Sequence, residues 1–553
     1  MASPKKLSKR PIPDELNTIV MKSLSIDKEE RYPQASELGK ALQAWLEGSK
    51  RQRQAIRLVE EAKQYQREAQ KLQAQASTLQ QKTKELKKAL PKQVEETSKH
   101  PIWTQEDRAE KLLVEATLKE LQAEQSFHSA LTYAPDFQEA HLALATYYKK
   151  EHIQAEKASS QKQLARAKSF LETHCYKLPP SSEESTSFRL YLKGNGALCL
   201  ETIPSNAKVT LYRFKRKNRR LQTELVESIG HTPIQNYSIP MGSYVAEIAH
   251  PDCELVRYPF KIERMQRWDG CPPNSTQTKP IQLPKKGQLQ SDEIYVPCGW
   301  YLSGNTTIES LWSEGFVIKK YPVTNAEYLL FLDDLMKTGQ KELALRCVPR
   351  ERAGTATEQG EMIYGLNDKG SFYLRPDADG DIWHPQWPVV MLDYFCAYSY
   401  SQWFSQKTLL PWRLPLDGEW EKAYRGVDAR IYPWGHVWEP NWSSSRDSKK
   451  ERALPSIVDS YPIDQSPYGV RGLAGNAVDW CIAWDKDVVT QERIVQYPNF
   501  LSDYSSLDRK QSPRGGGWLG TGDSGKVTRY HPVETSFSYV DIGFRLLRPF
   551  PLI

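Results

Sequence analysis

Apolar positions recur along this chain with different periods, and each period predicts a different kind of element. Leu58, Ala62, Tyr65, Ala69, Leu72, Ala76, Leu79, Thr83, Leu86 and Leu90 advance by alternating steps of four and three until Pro91 intervenes. That is a heptad seam, and it predicts a coiled coil through which the chain self-associates, although the alanines also suit a helix folded against the next region. Upstream, residues 11–48 read as two helices separated by DKEERYP, with Asp14 as an N-cap and Ile19, Val20 and Leu24 as an apolar stripe. Downstream, residues 105–178 are helical again, with small Ala130 and Ala140 for close approach and Pro135-Asp136 at a turn. KLPPSSEESTS reads as a linker. After it the period becomes two: FRLYLKG, GALCLETI, AKVTLYRF, YVAEIAH and YPFKIE predict strands, and KRKNRR, Lys215 to Arg220, a charged hairpin tip.

From Asp292 to the end the regular periods give way to glycine-punctuated loops set with tryptophans, among them Trp420, Trp434, Trp480 and Trp518. Large aromatic residues can fill a core that lacks long amphipathic elements. Two stretches keep helical periodicity, VTNAEYLLFLDDL behind Thr324 and DYFCAYSYSQWFSQ behind Asp393, each residue a candidate N-cap. The expected fold class is multidomain α+β. Its divisions are a helical segment at 1–48, a coiled coil at 49–100, further helices at 101–178, a small β-sandwich at 186–285 and an irregular α+β domain at 292–553.

Composition narrows the setting. The 8 cysteines are scattered without a C-x-x-C pair, which argues against a structural zinc site or disulfide scaffold and fits a reducing compartment. No apolar run reaches membrane-spanning length and no signal-peptide core is present at the start, so the expected location is cytoplasmic. The net charge of +7 is concentrated in one place, because residues 50–100 hold 13 Lys/Arg against 6 Asp/Glu. A solvated helix face accounts for this more simply than a nucleic-acid partner.

Several passages carry family resemblances. VPCGWYLSG, YPVTNAEY, WPVVMLDYFCAYSYSQWFS, RLPLDGEWEKAYRG, YGVRGLAGNAVDW, RGGGW and DIGFRLLRP, in that order, resemble the formylglycine-generating (sulfatase-modifying factor) family, which implies a C-type-lectin-like fold for 292–553. PIPDELNTIVMKSLSIDKEERYPQASELGKALQAWLEG resembles the end of a bacterial serine/threonine kinase catalytic domain, where the residue at the position of Arg31 pairs with a buried glutamate. AEQSFHSALTYAPDFQEAHLALATYY resembles a tetratricopeptide repeat, and IPSNAKVTLY followed by GHTPIQNYSIPMGSYVAEI resembles the PEGA modules. Kinase chemistry itself is excluded from this chain. No HRD or DFG string occurs, and a glycine-rich loop and β3 lysine cannot fit before Pro11.

The oxidase resemblance implies two copper-binding cysteines after the RGGSW-like motif. Here those positions are Gly520 and Gly525, and the motif's serine is Gly517. Copper is therefore not expected, since glycine offers no soft thiolate. Cys396 and Cys481, the cysteines a divergent oxidase would use instead, read as core residues. The resemblance also implies a Ca²⁺ loop at GNAVDW, with Gly475 and Ala477 as carbonyl donors and Asp479 as the carboxylate, although Gly472 replaces an expected side-chain ligand; the alternative is that Asn476 and Asp479 pin the loop through hydrogen bonds alone. Trp518, Thr521, Asp523, Arg529 and His531 supply an aromatic anchor and polar groups suited to a peptide or protein partner. The function expected is that of a kinase-associated signalling or scaffolding protein whose last domain binds rather than catalyses. A divergent oxidase and an arm complementing a separately encoded kinase are the alternatives.

Overall fold

The structure is a computed structural model, and it describes residues 11–89, 95–158, 160–304, 308–351, 360–377, 379–482, 511–529, 533–536 and 538–551. It is a mixed α+β protein with ten α-helices among those residues. The chain divides into two units, up to Lys193 and from Gly194 onward.

The first unit consists of helices α1 (Asp14–Ser23), α2 (Ala35–Ala89), α3 (His100–Tyr133), α4 (Gln138–Lys157), α5 (Gln161–Tyr176) and α6 (Glu183–Lys193). The second helix expected within 11–48 and the seam helix are one continuous helix, α2. Asp14 opens α1 as its first residue, with Pro13 in the cap position. Arg31 donates to the backbone oxygens of Ser25 and Ile26.

The heptad seam is filled from within the same chain. Ala55, Ala62, Ala69, Ala76 and Thr83 of α2 are buried, and so are Ile102, Ala109, Ala116, Ala123 and Ala130 of α3. The two helices run antiparallel, as Lys87 pairs with Glu106 at one level and Lys119 with Glu68, at 2.7 Å, further along. Small residues on a seven-residue repeat let two helix axes approach closely. That approach leaves the intervening Leu58, Tyr65, Leu72 and Leu79 half-buried and Leu86 exposed. The expected partner for this seam, a second chain, is replaced by α3.

Phe188 to Gly194, expected as a strand, belongs to helix α6 up to Lys193. Ser182 Oγ accepts the Ser185 amide at 3.1 Å and Glu183 and Glu184 occupy the first turn, so the local capping signal favours a helix. Ser185, Phe188 and Tyr191 then share one buried face at a three-residue spacing, which a strand would split between two faces.

In the second unit the first strands are β1 (Asn195–Leu200), β2 (Thr202–Ile203), β3 (Lys208–Lys217), β4 (Arg220–His231), β5 (Ile234–Pro240), β6 (Gly242–Ala249), β7 (Val256–Ile262), β8 (Arg267–Trp268) and β9 (Ile281–Gln282). They form sheets ordered β4-β3-β6-β7 and β5-β1-β8, with β2 beside β9. The KRKNRR tip is a two-residue turn at Asn218 and Arg219, both with positive φ, as a tight hairpin requires. Beyond it come β10 (Glu293–Val296), β11 (Gly299–Ser303), β12 (Glu309–Ser313), β13 (Phe316–Lys319), α7 (Asn325–Lys337), α8 (Lys341–Cys347), β14 (Tyr364–Leu366), β15 (Phe372–Leu374), α9 (Tyr394–Thr408), α10 (Asp417–Arg425), β16 (Val478–Asp479), β17 (Ile542–Gly543) and β18 (Leu547–Pro549). Thr324 and Asp393 cap α7 and α9, the former in a full capping box with Glu327. Trp420, Trp434, Trp480 and Trp518 are all buried. Leu221 N donates to Trp434 O, Ser243 Oγ to Asp428 Oδ2 and Arg257 Nε to Pro467 O, so the early strands pack directly on the irregular region. All eight cysteines are free thiols, and no described helix is long and apolar enough to cross a membrane.

The first unit carries a pH-dependent weakness. His141 Nε2 lies 2.8 Å from the Pro135 carbonyl and must donate, so its Nδ1 accepts from His174 Nδ1 at 3.0 Å. His174 Nε2 is left bare and buried, and burial lowers that imidazole to about 4. A folded value below the unfolded one means the stabilisation is complete above about pH 6.5 and is lost as pH falls towards 4. Between pH 7.5 and pH 4, His174 is expected to remove about 3 kcal/mol of stability from the helical unit. Urea titrations followed by helical circular dichroism check this, with His174→Leu showing a correspondingly flatter pH dependence than the wild-type chain.

Candidate functional site

The site is built from three loops drawn together by buried polar groups. Asp464, 1 % exposed, accepts the amides of Leu473 and Ala474 and, at 2.6 Å, the hydroxyl of Ser443. Burial pushes its carboxyl up to about 6, against the hydrogen bonds that favour its ionised form. Asn476, at φ 74, bridges Ser456 by accepting its amide at 2.8 Å and donating to its carbonyl at 2.9 Å. A Cβ at Gly475 would lie 2.3 Å from Ser444 O, so the two loops touch backbone to backbone only because this position is glycine.

Asp479 sits at the centre, wholly buried. Its Oδ2 accepts from Trp420 Nε1 at 2.8 Å and from Arg545 Nε at 2.6 Å. Arg545, equally buried, spends its remaining donors on the carbonyls of Lys320, Arg471 and Gly472. A guanidinium therefore stands beside the carboxylate expected to bind Ca²⁺, and the Gly472 carbonyl points at the same cation. The Gly475 carbonyl is also engaged, accepting the Ala477 amide at 3.0 Å. Gly475, Ala477 and Asp479 do not fit a calcium ion, because a second cation here would meet a full positive charge. Among the described residues no group of three or more His, Cys, Asp or Glu is arranged to hold a metal.

The glycine segment lies across this centre. At Gly525 a Cβ would fall 2.6 Å from Ala474 O and 3.1 Å from Trp438 Cζ3, and at Gly520 it would fall 2.6 Å from Ser524 Cβ. At Gly517 it would lie 2.2 Å from Asp541 Oδ2. None of the three positions has room for a side chain as the loop is built. Tyr424 OH donates to Gly525 O and Tyr432 OH to Gly522 O, which fastens the loop from below.

The expected recognition residues separate. Trp518 is 8 % exposed and donates its indole N–H to Val540 O at 3.1 Å, so it supports the loop from inside and does not project as an anchor. Thr521 and Asp523 are exposed, the latter paired with Lys526 at 2.6 Å. Arg529 is half-buried and close enough to Asp541 to offset part of the upward push of burial on that carboxyl. His531 lies outside the described residues. Among the described residues of this segment, Leu519, Thr521 and Asp523 are exposed and Lys526 is half-buried beside Asp523. Cys396 and Cys481 are in the core; the hydrogen bond with Cys347 and then burial push the Cys396 thiol well up, and burial does the same to Cys481. Sequence reasoning missed Asp464, for which no motif gave a signal, and Arg545, which was visible in GFRLLR but without its partner.

Replacing Arg545 with Met strands the Asp479 charge. Removing one partner of a buried pair costs about 3–5 kcal/mol. The expected result is a large drop in the unfolding midpoint by calorimetry, partly restored when Asp479→Asn is added; an unchanged midpoint would show that the pair does not hold the loops.

Residues 279–550 match the family described as Sulfatase-modifying factor enzyme 1-like domain. The chain is 25 % identical over 206 residues to the Formylglycine-generating enzyme of Streptomyces coelicolor, covering 34 % of this chain and 63 % of that protein. It is 24 % identical over 239 residues to the Inactive C-alpha-formylglycine-generating enzyme 2 of Bos taurus, covering 40 % of this chain and 71 % of that one. It is 34 % identical over 215 residues to the Serine/threonine-protein kinase pkn1 of Chlamydia pneumoniae, covering 36 % of this chain and 29 % of the kinase. The match thus spans under two thirds of the Streptomyces enzyme and under a third of the kinase. Residues 279–550 carry a sulfatase-modifying factor enzyme 1-like domain.

Proposed function

We propose that the domain at 292–553 is a protein- or peptide-binding module without oxidase chemistry, in a chain with a kinase-associated signalling or scaffolding role. The observation that carries this reading is the packing at Gly520 and Gly525, where the relatives' copper thiols would have to stand and where a Cβ would be 2.6 Å from its neighbours. Copper catalysis on a thiol needs soft ligands that this loop neither has nor has space for. Similarity to a protein named inactive supports loss of activity in this family. Similarity to pkn1 supports the kinase association, in which residues 1–48 would be a kinase C-lobe remnant, 101–178 a tetratricopeptide-like stack and 186–285 a PEGA-like module. A separately encoded kinase is then a candidate partner.

The binding surface in this reading is the outer loop with Thr521 and Asp523, and Arg529 at its edge. Two measurements test it. Incubated with Cu(I) and a sulfatase-derived cysteine peptide, the purified chain is expected to give no formylglycine by mass spectrometry and to retain no stoichiometric copper; aldehyde above the no-protein background overturns the reading. The triple variant Thr521→Ala, Asp523→Ala, Arg529→Ala is expected to keep the wild-type circular dichroism spectrum while losing at least about tenfold affinity for whichever kinase or peptide ligand the wild-type chain binds. Full affinity in the folded variant would move the binding surface elsewhere.

A further inference from the structure

Away from that loop, a cavity of about 430 Å³ opens where the first turn of α7 meets β13 and residues 457–459. Tyr400 and Phe404 of α9 contribute aromatic rings to it, Leu330 is on its wall, and Asp292, Glu327 and Asp459 supply carboxylates. One cation lines it, Lys319, and that ammonium is already committed to Asp292 at 2.9 Å and Glu293 at 3.4 Å. Glu327 accepts the amide and hydroxyl of Thr324 in the capping box, but neither Glu327 nor Asp459 has an ion-pair partner among the described residues. With Asp292 and Lys319 offsetting one another, the lining keeps two uncompensated negative charges.

Tyr400 presents an unpartnered hydroxyl to the same cavity. The residue is 2 % exposed and its ring stacks on Tyr328 and Phe404, yet its hydroxyl has no hydrogen-bond partner among the described residues. The hydroxyl oxygen is the part of this side chain that stays open to the cavity, where it can accept from a ligand. The hydroxyl belongs to the cavity wall, and the Glu327 and Asp292 carboxylates lie near enough to add to the upward push that burial gives this phenol.

We propose that this cavity binds a protonated alkylamine. The ammonium would donate to Glu327, Asp459 and the Tyr400 oxygen, and its apolar stem would lie along Phe404 and Leu330. A carboxylate ligand would meet like charge, and a purely apolar one would leave the phenol without a partner. The amine could be a lysine side chain of a peptide or a free alkylamine.

Calorimetric titration of the full chain distinguishes these sources. The probes are 1,4-diaminobutane, the blocked peptide acetyl-Gly-Lys-Gly-amide and neutral 1,4-butanediol. Saturable binding of the diamine supports a free-amine ligand, and binding of the peptide supports a lysine side chain. In either case Tyr400→Phe, Glu327→Gln and Asp459→Asn are each expected to weaken binding about tenfold. Gln retains the capping function at 327 and residue 459 is exposed, so these two variants leave the fold intact. The proposal is overturned if neither amine saturates by about 10 mM, if butanediol binds as well, or if the Glu327→Gln, Asp459→Asn double variant binds undiminished.

Discussion

A guanidinium with no exposed surface has to be surrounded by acceptors, and Arg545 takes its four from two distant stretches, Lys320 on one side and Arg471, Gly472 and Asp479 on the other. Asp479 supplies the charge, while the carbonyls of Lys320, Arg471 and Gly472 complete the set. Lys320 lies at the β13 exit, Arg471 and Gly472 in the 464–476 loop and Asp479 in β16, so one side chain fixes the relative positions of these three and the last strand. In a core with few long helices or sheets, such a hub does what backbone ladders do elsewhere. The cost of burying the two charges is offset only while every acceptor stays in place, which makes the loops cooperative with one another.

The glycine segment depends on that hub. It lies against Ala474 and Trp438 with no space for side chains, and its position is set by Asp464 and Asn476 holding the loop beneath it. The tight contact and the absence of thiols are consistent with each other. A cysteine at Gly525 would need more than a change of residue, because the Ala474 carbonyl occupies the position of its Cβ. The glycines at 517, 520 and 525 and the atoms packed against them are therefore matched to one another.

Local features were the legible ones. Thr324 and Asp393 could be assigned as caps because the groups they satisfy lie within one turn. The KRKNRR turn was equally local. Asn476 and Asp479 could be singled out as a pair that either binds a cation or pins the loop through hydrogen bonds, and the structure shows the hydrogen bonds, but Arg545 was not legible as the partner because it lies 66 residues away and nothing in the spacing links the two. Phe188 to Lys193 misled for the opposite reason, since alternation over so few residues does not distinguish a strand from a helix face until the cap at Ser182 is weighed. The heptad seam gave the right residues and left the occupant open. Period reports which face is buried and says nothing about which chain covers it.

That occupant changes what α2 is mechanically. Its 55 residues rise roughly 80 Å at 1.5 Å per residue. A lone helix of that length bends readily in water, but one zipped along an alanine line to an antiparallel neighbour resists bending as a doubled strut. The charged edge is partly neutralised as well: two lysines of the basic stretch are matched by glutamates from neighbouring helices, Lys63 by Glu139 and Lys87 by Glu106. The stretch that looks in sequence like a free polycation is therefore, at these two positions, the positively charged edge that flanks a buried alanine seam.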